Sequence, residues 1–154
     1  LGDVYKRQSM GCTTVLLATE LDLPDQVKAV VADCGFTSAW EQIKHTIKSN
    51  MRLPAFPSLY LVSLFARIFA GIRLRGCDTR KAMEKNTTVP VFFATGTRDR
   101  VVPPEMTKQN YEACRAPKML LLTEAAHGMS YLAAKAEYEK QLEDFLEGCL
   151  KQID

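Results

Sequence analysis

Three short runs rich in β-branched, aromatic and leucine residues, at 27–32, 89–95 and 118–122, are separated by stretches long enough to hold whole helices. Strands reached that way are not hairpin partners. They are the βα rhythm of a parallel sheet, in which crossover helices cover the faces and the strands run almost continuously apolar. The expected architecture is therefore α/β: an open, mostly parallel sheet of three main strands with flanking helices and a helical insertion at about residues 38–76. A short fourth strand at residues 4–5 is expected if the start of the chain is genuine.

The helices have physical starts and stops. Residues 10–20 read as a helix apolar nearly all round, ended by Pro24 in the loop beyond it. Ser38 is placed to cap a helix over 39–50. Residues 58–71 carry Arg67 as their sole charge, so that helix is expected to be buried or to cover something apolar. A short helical piece follows at 79–85. Pro104 opens a helix to about residue 114, with Glu105 complementing its dipole. The last helix is expected over 130–151, with Leu142, Phe145, Leu146 and Cys149 on one face at helical spacing.

Several functions are excluded by composition. A length of 154 residues suits one domain with a core. The net charge of +2 is spread among scattered Lys and Arg, which gives no reason to expect a nucleic-acid partner. Five cysteines, an odd number with no Cys-x-x-Cys pair, argue against a disulfide framework or a zinc site and favour a reducing compartment. The longest uncharged run, 53–66, is broken by Pro54 and Pro57 and is too short to span a bilayer.

Three polar residues stand at comparable places. Ser9 precedes an apolar helix as Ser9-Met10-Gly11, Asp99 lies just past one strand, and His127 lies just past the next. Each has a bland reading: Ser9 as a helix N-cap, Asp99 as a turn aspartate, His127 as a satisfied loop histidine. In an open parallel sheet, however, groups beyond the carboxyl ends of the strands converge on one crevice. His45, mid-helix and out of order, reads as structural. Asp33 reads as a loop residue and Cys12 as small-residue packing.

In that order and spacing the chain resembles the α/β-hydrolase superfamily. Gly96-Thr97-Arg98-Asp99-Arg100-Val101-Val102-Pro103 is similar to its acid loop, Gly-x-x-Asp-x-x-Val-Pro, and Ala126-His127-Gly128 to its histidine loop. Asp33-Cys34-Gly35-Phe36-Thr37-Ser38 resembles a bacterial branch of serine aminopeptidase-like and esterase-like hydrolases. The resemblance covers residues 9–150 and corresponds to the carboxyl-terminal half of that fold. It implies Ser9 as nucleophile, His127 as base, Asp99 as its orienting acid, and the Met10 backbone N–H as an oxyanion donor. The substrates implied for the parent protein are small carboxylic esters, thioesters or amides, with no metal or organic cofactor. Similar hydrolases often carry an amino-terminal membrane anchor, so the resemblance implies membrane association only through a segment ahead of this chain, on the cytoplasmic side. Leu61, Leu64, Phe65 and Ile68 of the insertion are expected to line the acyl side of the pocket. The alternative is a truncated, non-catalytic segment or interaction module of such a hydrolase.

The beginning of the chain departs from the pattern. The first eight residues, LGDVYKRQ, resemble a translated sequencing-adapter peptide sometimes fused to open reading frames from assembled environmental DNA. They are expected to be a non-native leader, with the hydrolase part spanning 9–154. Arg7 stands where a Gly-x-Ser-x-Gly elbow wants glycine.

Overall fold

Residues of alternate parity along the strands pack on opposite faces of the sheet, and this decides where the core lies. The structure, a computed structural model, describes residues 3–150. Four strands, β1 (Asp3–Gln8), β2 (Val27–Asp33), β3 (Val91–Gly96) and β4 (Lys118–Thr123), pair in parallel in the order β1-β2-β3-β4. On one face Val30, Ala32, Val91 and Phe93 meet Cys12 and Leu16 of α1 (Met10–Ala18), Ala82 and Met83 of α4 (Thr79–Lys85), and Cys114 beyond α5 (Pro104–Ala113). On the other, Ala29, Val31, Phe92, Ala94 and Leu121 meet Tyr138, Phe145 and Cys149 of α7 (Lys135–Leu150). Both faces are covered at the centre, which explains why every residue of β3 is buried.

The first strand lies in the stretch expected as a leader. Residues 3–8 run beside β2 in register from Val4 opposite Ala29 to Gln8 opposite Asp33. Leu1 and Gly2 fall outside the described residues.

The insertion holds α2 (Ala39–Ser49) and α3 (Ala55–Ala70). Ser38 caps α2 as expected, its hydroxyl accepting from the Glu41 N–H at 3.2 Å. The base is pinned where the chain leaves and returns. Ser38 bridges Asp78 in antiparallel fashion, and the Thr79 N–H donates to the Thr37 carbonyl at 2.9 Å.

Two helices differ from the sequence reading. The helix α3 begins at Ala55 rather than 58, across a kink at Phe56 (φ −100°, ψ 130°). It is not a buried helix: Leu59 alone among its residues is buried, and its other large apolar side chains are exposed. The helix expected over 130–151 is two helices, α6 (Ser130–Ala133) and α7, because Ala134 leaves the helical region (φ −137°, ψ 47°). The Ala134 carbonyl still accepts from the Tyr138 N–H at 2.8 Å, at the start of α7. Phe145 and Cys149 are buried and Leu142 and Leu146 partly so, on the expected face. Residue 151, the expected end, lies outside the described residues.

Close approach at the end of β3 accounts for Gly96. A Cβ there would collide with the carbonyl oxygen of Ala125, in the loop that carries His127. Gly96→Ala is expected to cost about 1–3 kcal/mol, the usual range for overpacking, read as a lowered urea midpoint. It should also disturb the histidine loop, because backbone atoms have no rotamer through which to yield.

Candidate active site

Ser9 sits between the end of β1 and the first turn of α1 with φ 52° and ψ −120°, a positive-φ conformation uncommon for any residue but glycine. Its backbone is held on both sides. The N–H donates to the Asp33 carbonyl at 2.9 Å, and the carbonyl accepts from the Thr13 N–H at 3.1 Å. The hydroxyl makes no capping bond to the helix. Ser9 is thus an N-cap by position only, and its Oγ lies 3.0 Å from Nε2 of His127.

The other imidazole nitrogen, Nδ1, lies 2.6 Å from Oδ2 of Asp99. A carboxylate can only accept here, so Nδ1 donates, and Nε2 of the neutral ring is left to accept from Ser9. The Asp99 side chain is fully buried and that of His127 one-quarter exposed, which removes water from the acid and leaves the base reachable. The turn reading of Asp99 also holds: its Oδ1 accepts from the N–H groups of Val101 at 2.8 Å and Val102 at 2.9 Å. One oxygen shapes the loop while the other faces the imidazole.

The acid and histidine loops are tied to each other and to the insertion. The Thr97 N–H donates to the Thr123 carbonyl at 2.7 Å, and the Arg98 N–H to the Ala125 carbonyl at 3.0 Å. Gly128, at φ 69°, lets the chain turn directly after His127. From α2, Gln42 Nε2 donates to the Val101 carbonyl at 2.8 Å, and His45 Nε2 lies 3.1 Å from the Arg100 carbonyl. His45 is structural, as its place in the sequence suggested.

The floor of the site is the end of β2 and its loop. Asp33 is the last residue of β2, fully buried, and its Oδ2 accepts from Gln8 Nε2 at 3.0 Å. Burial raises its carboxyl above the ordinary value, more than Gln8, Lys6, His127 and Ser130 lower it. A carboxyl raised in the folded state loses stability as pH rises from its unfolded value through its folded one. Asp33→Asn, which keeps an acceptor for Gln8, is therefore expected to be more stable than the parent at neutral pH. The difference should vanish below the ordinary carboxyl range, and urea midpoints at the two pH values measure it.

Cys34, also buried, was not singled out in the sequence, where a lone cysteine after a strand carries no signal. Its Sγ, an Asp99 carboxylate oxygen and a His127 nitrogen lie within 4.8 Å of one another. Burial, with Asp33 beside it, pushes the thiol up to about 12. It is a protonated thiol in the neutral range, while Nδ1 and Oδ2 are already engaged with each other. Cys12 is buried against Gly35, as packing requires. The sequence also left unread a buried polar knot under the loop. Thr79 Oγ1 donates to Asn110 Oδ1 at 2.6 Å, and Thr107 Oγ1 donates to the Gly35 carbonyl at 3.2 Å.

The expected pocket residues lie on the outer surface of α3. Leu61, Leu64, Phe65 and Ile68 are 50%, 53%, 54% and 62% exposed on α3. A cleft of about 450 Å³ opens beside the site, lined by Lys6, Arg7, Gln8, Gly128, Tyr131 and Leu132, and none of those four takes part in it. Arg7 occupies the expected glycine position, exposed, with its stem along Gly11 and its guanidinium donating to the Lys6 carbonyl. Met10 is exposed at the start of α1, where the first N–H groups of a helix have no partner within it.

Known proteins resemble this chain in sequence or in fold. The family model described as Serine hydrolase (FSH1) matches residues 9–133. The uncharacterized protein YqkD of Bacillus subtilis (strain 168) is 31% identical over 141 residues, covering 91% of this chain and 46% of YqkD. The chain therefore spans about half the length of the curated relative it matches. Among solved structures, the Pyrococcus furiosus esterase Pf2001 superposes with a TM-score of 0.67 at 19% identity, over 94% of this chain and 53% of that one. The α/β hydrolase MGS-MChE2, from the metagenome of Mar Chica lagoon sediments, gives 0.61 at 19% identity over 96% and 62%. Acetyl xylan esterase 1 from Thermoanaerobacterium sp. JW/SL YS485 gives 0.62 at 17% identity over 94% and 44%. At these identities the likeness is one of fold, and the fold is part of an α/β hydrolase.

Proposed function

The chain belongs to the FSH1 serine hydrolase family, and from that premise we propose that Ser9, His127 and Asp99 act as nucleophile, base and orienting acid in the hydrolysis of small carboxylic esters, thioesters or amides. The observation that carries this reading is the continuous relay from Ser9 Oγ through both imidazole nitrogens to a buried carboxylate, at 3.0 and 2.6 Å. A serine held at positive φ with its hydroxyl withheld from helix capping supports it further.

In this reading His127 Nε2 takes the Ser9 proton as Oγ attacks the carbonyl carbon. Asp99 stabilises the imidazolium that forms, and the Met10 N–H donates to the oxyanion. The protonated Nε2 then delivers its proton to the departing alcohol, thiol or amine, leaving an acyl group on Ser9. Water repeats the sequence with His127 again as base and frees the acid.

A p-nitrophenyl ester tests the scheme. Acylation faster than deacylation releases a burst of p-nitrophenolate equal to the enzyme present, and the burst should vanish in Ser9→Ala. The pocket assignment has its own test across esters of increasing acyl length. Tryptophan at Leu61 or Leu64 should shift the preference toward short chains by about 10-fold or more, the scale of a methylene or two in an apolar pocket. A second reading, a non-catalytic segment of such a hydrolase, rests on the chain spanning 46% of its Bacillus relative. It predicts no burst in the parent chain.

A further inference from the structure

The insertion differs from the rest of the molecule in charge and in exposed apolar surface. Residues 42–77 contain six Lys and Arg and no Asp or Glu, whereas the whole chain has 20 and 18, leaving 14 and 18 elsewhere. A strongly basic stretch thus sits in a chain that is otherwise net acidic. The helix α3 within it exposes apolar side chains around most of its circumference. Phe69 is 80% exposed, Phe65 54% and Val62 40%, with Ile72 just past the helix at 54%. Phe65 and Phe69 stack on each other with ring centroids 5.8 Å apart. Val62, Phe65 and Phe69 are spaced i, i+3 and i+7, one face of a helix. Arg67, two positions from both Phe65 and Phe69, lies on the opposite side of the helix; Arg52 precedes α3 and Arg73 follows it, and none of the three has an ion-pair partner among the described residues.

An exposed apolar helix within so basic a segment suits one kind of surface. From this charge complementarity we infer that α3 lies in the interface of an anionic phospholipid bilayer, with Val62, Phe65, Phe69 and Ile72 entering the acyl boundary and Arg52 and Arg73, at the two ends of the helix, meeting the headgroups. No helix among the described residues is long and apolar enough to cross a membrane, so the contact is in the plane of the surface. A second copy of the chain is the poorer occupant, because self-complementary pairing brings like charges together. The contact places membrane binding in the insertion rather than in a segment ahead of the chain. It is independent of the triad: vesicle binding by a chain without esterase activity would leave it standing, and esterase activity without vesicle binding would not support it.

The test is sedimentation of the chain with extruded vesicles of phosphatidylcholine alone, or of three parts phosphatidylcholine to one part phosphatidylglycerol. The chain should pellet with the anionic vesicles, blue-shifting the fluorescence of Trp40, whose ring meets Tyr60 of α3 at 5.5 Å. It should stay in solution with the neutral ones. Phe69→Asp with Ile72→Asp, both at exposed positions outside the proposed pocket, should abolish pelleting. Arg52→Gln with Arg73→Gln should weaken partitioning by about 25-fold, at roughly fivefold per charge, and added salt should do the same. Circular dichroism checks that each variant is folded, and the arginine pair keeps the test intact if the aspartates disturb α3. Equal binding to both vesicle types, binding to neither, or binding unchanged in both variants overturns the inference. So does a dimer in solution that the aspartates dissociate while vesicles recover nothing.

Discussion

Ser9→Ala should eliminate burst acylation and lower ester hydrolysis by about 10⁴–10⁶-fold while leaving the melting temperature close to that of the parent. The stability half of this expectation comes from the structure. The Ser9 hydroxyl makes no helix cap, and the strained backbone is held by main-chain bonds to Asp33 and Thr13 that alanine retains. The chemical half follows from the relay, since His127 has no other hydroxyl within reach of Nε2 among the described contacts. An N-capping serine would behave oppositely, with its loss costing about 0.5–2 kcal/mol of stability and no activity. Thermal melts and burst kinetics on the same two proteins separate the cases.

Asp99→Asn should be nearly as damaging, with a loss of about 10⁴-fold in acylation rate. The loop dictates which way the new amide faces. Oδ1 of Asp99 accepts from the Val101 and Val102 N–H groups, and an asparagine keeps those bonds only with its carbonyl oxygen there. Its NH₂ group then meets Nδ1 of His127 as a donor. The imidazole must switch tautomer and carry its proton on Nε2, where it can no longer accept from Ser9. The variant should therefore fold, bind substrate and fail in chemistry, with kcat falling and KM little changed. Asp99→Ala, by contrast, removes the turn acceptor as well, and should lower the urea midpoint in addition to the rate. If Asp99→Asn retains the parent rate, the 2.6 Å contact with His127 is structural only.

The meeting of Ser9, Asp99 and His127 was legible because each is tied to a strand end. Ser9 opens a helix, Asp99 follows 89–95, and His127 follows 118–122. Parallel pairing of β1 to β4 then carries three separate loops to the same edge of the sheet. The capping role of Ser38 and the short helix α4 were legible for a similar reason, since local hydrogen bonding decides them. What escaped depends on packing between distant segments. The break at Ala134 has no glycine or proline to announce it; it arises where Tyr131 and Tyr138 pack edge to face at 5.5 Å, on either side of the turn. The apolar composition of α3 left it either buried or covering something apolar; composition does not say which neighbour such a helix meets, and its contacts run mainly to α2. The approach of Cys34 to His127 and Asp99, and the two separate duties of the Asp99 oxygens, are products of loop geometry that spacing alone does not encode.

The nucleophilic role of Ser9 is open to one direct measurement. The chain is treated with a fluorophosphonate, digested, and mapped by mass spectrometry, with His127→Ala treated alongside. A relay through His127 predicts a single phosphonylated peptide with the adduct on Ser9 and labelling slowed by orders of magnitude in the His127 variant. An adduct on another residue, or labelling of Ser9 at an unchanged rate without His127, would contradict it.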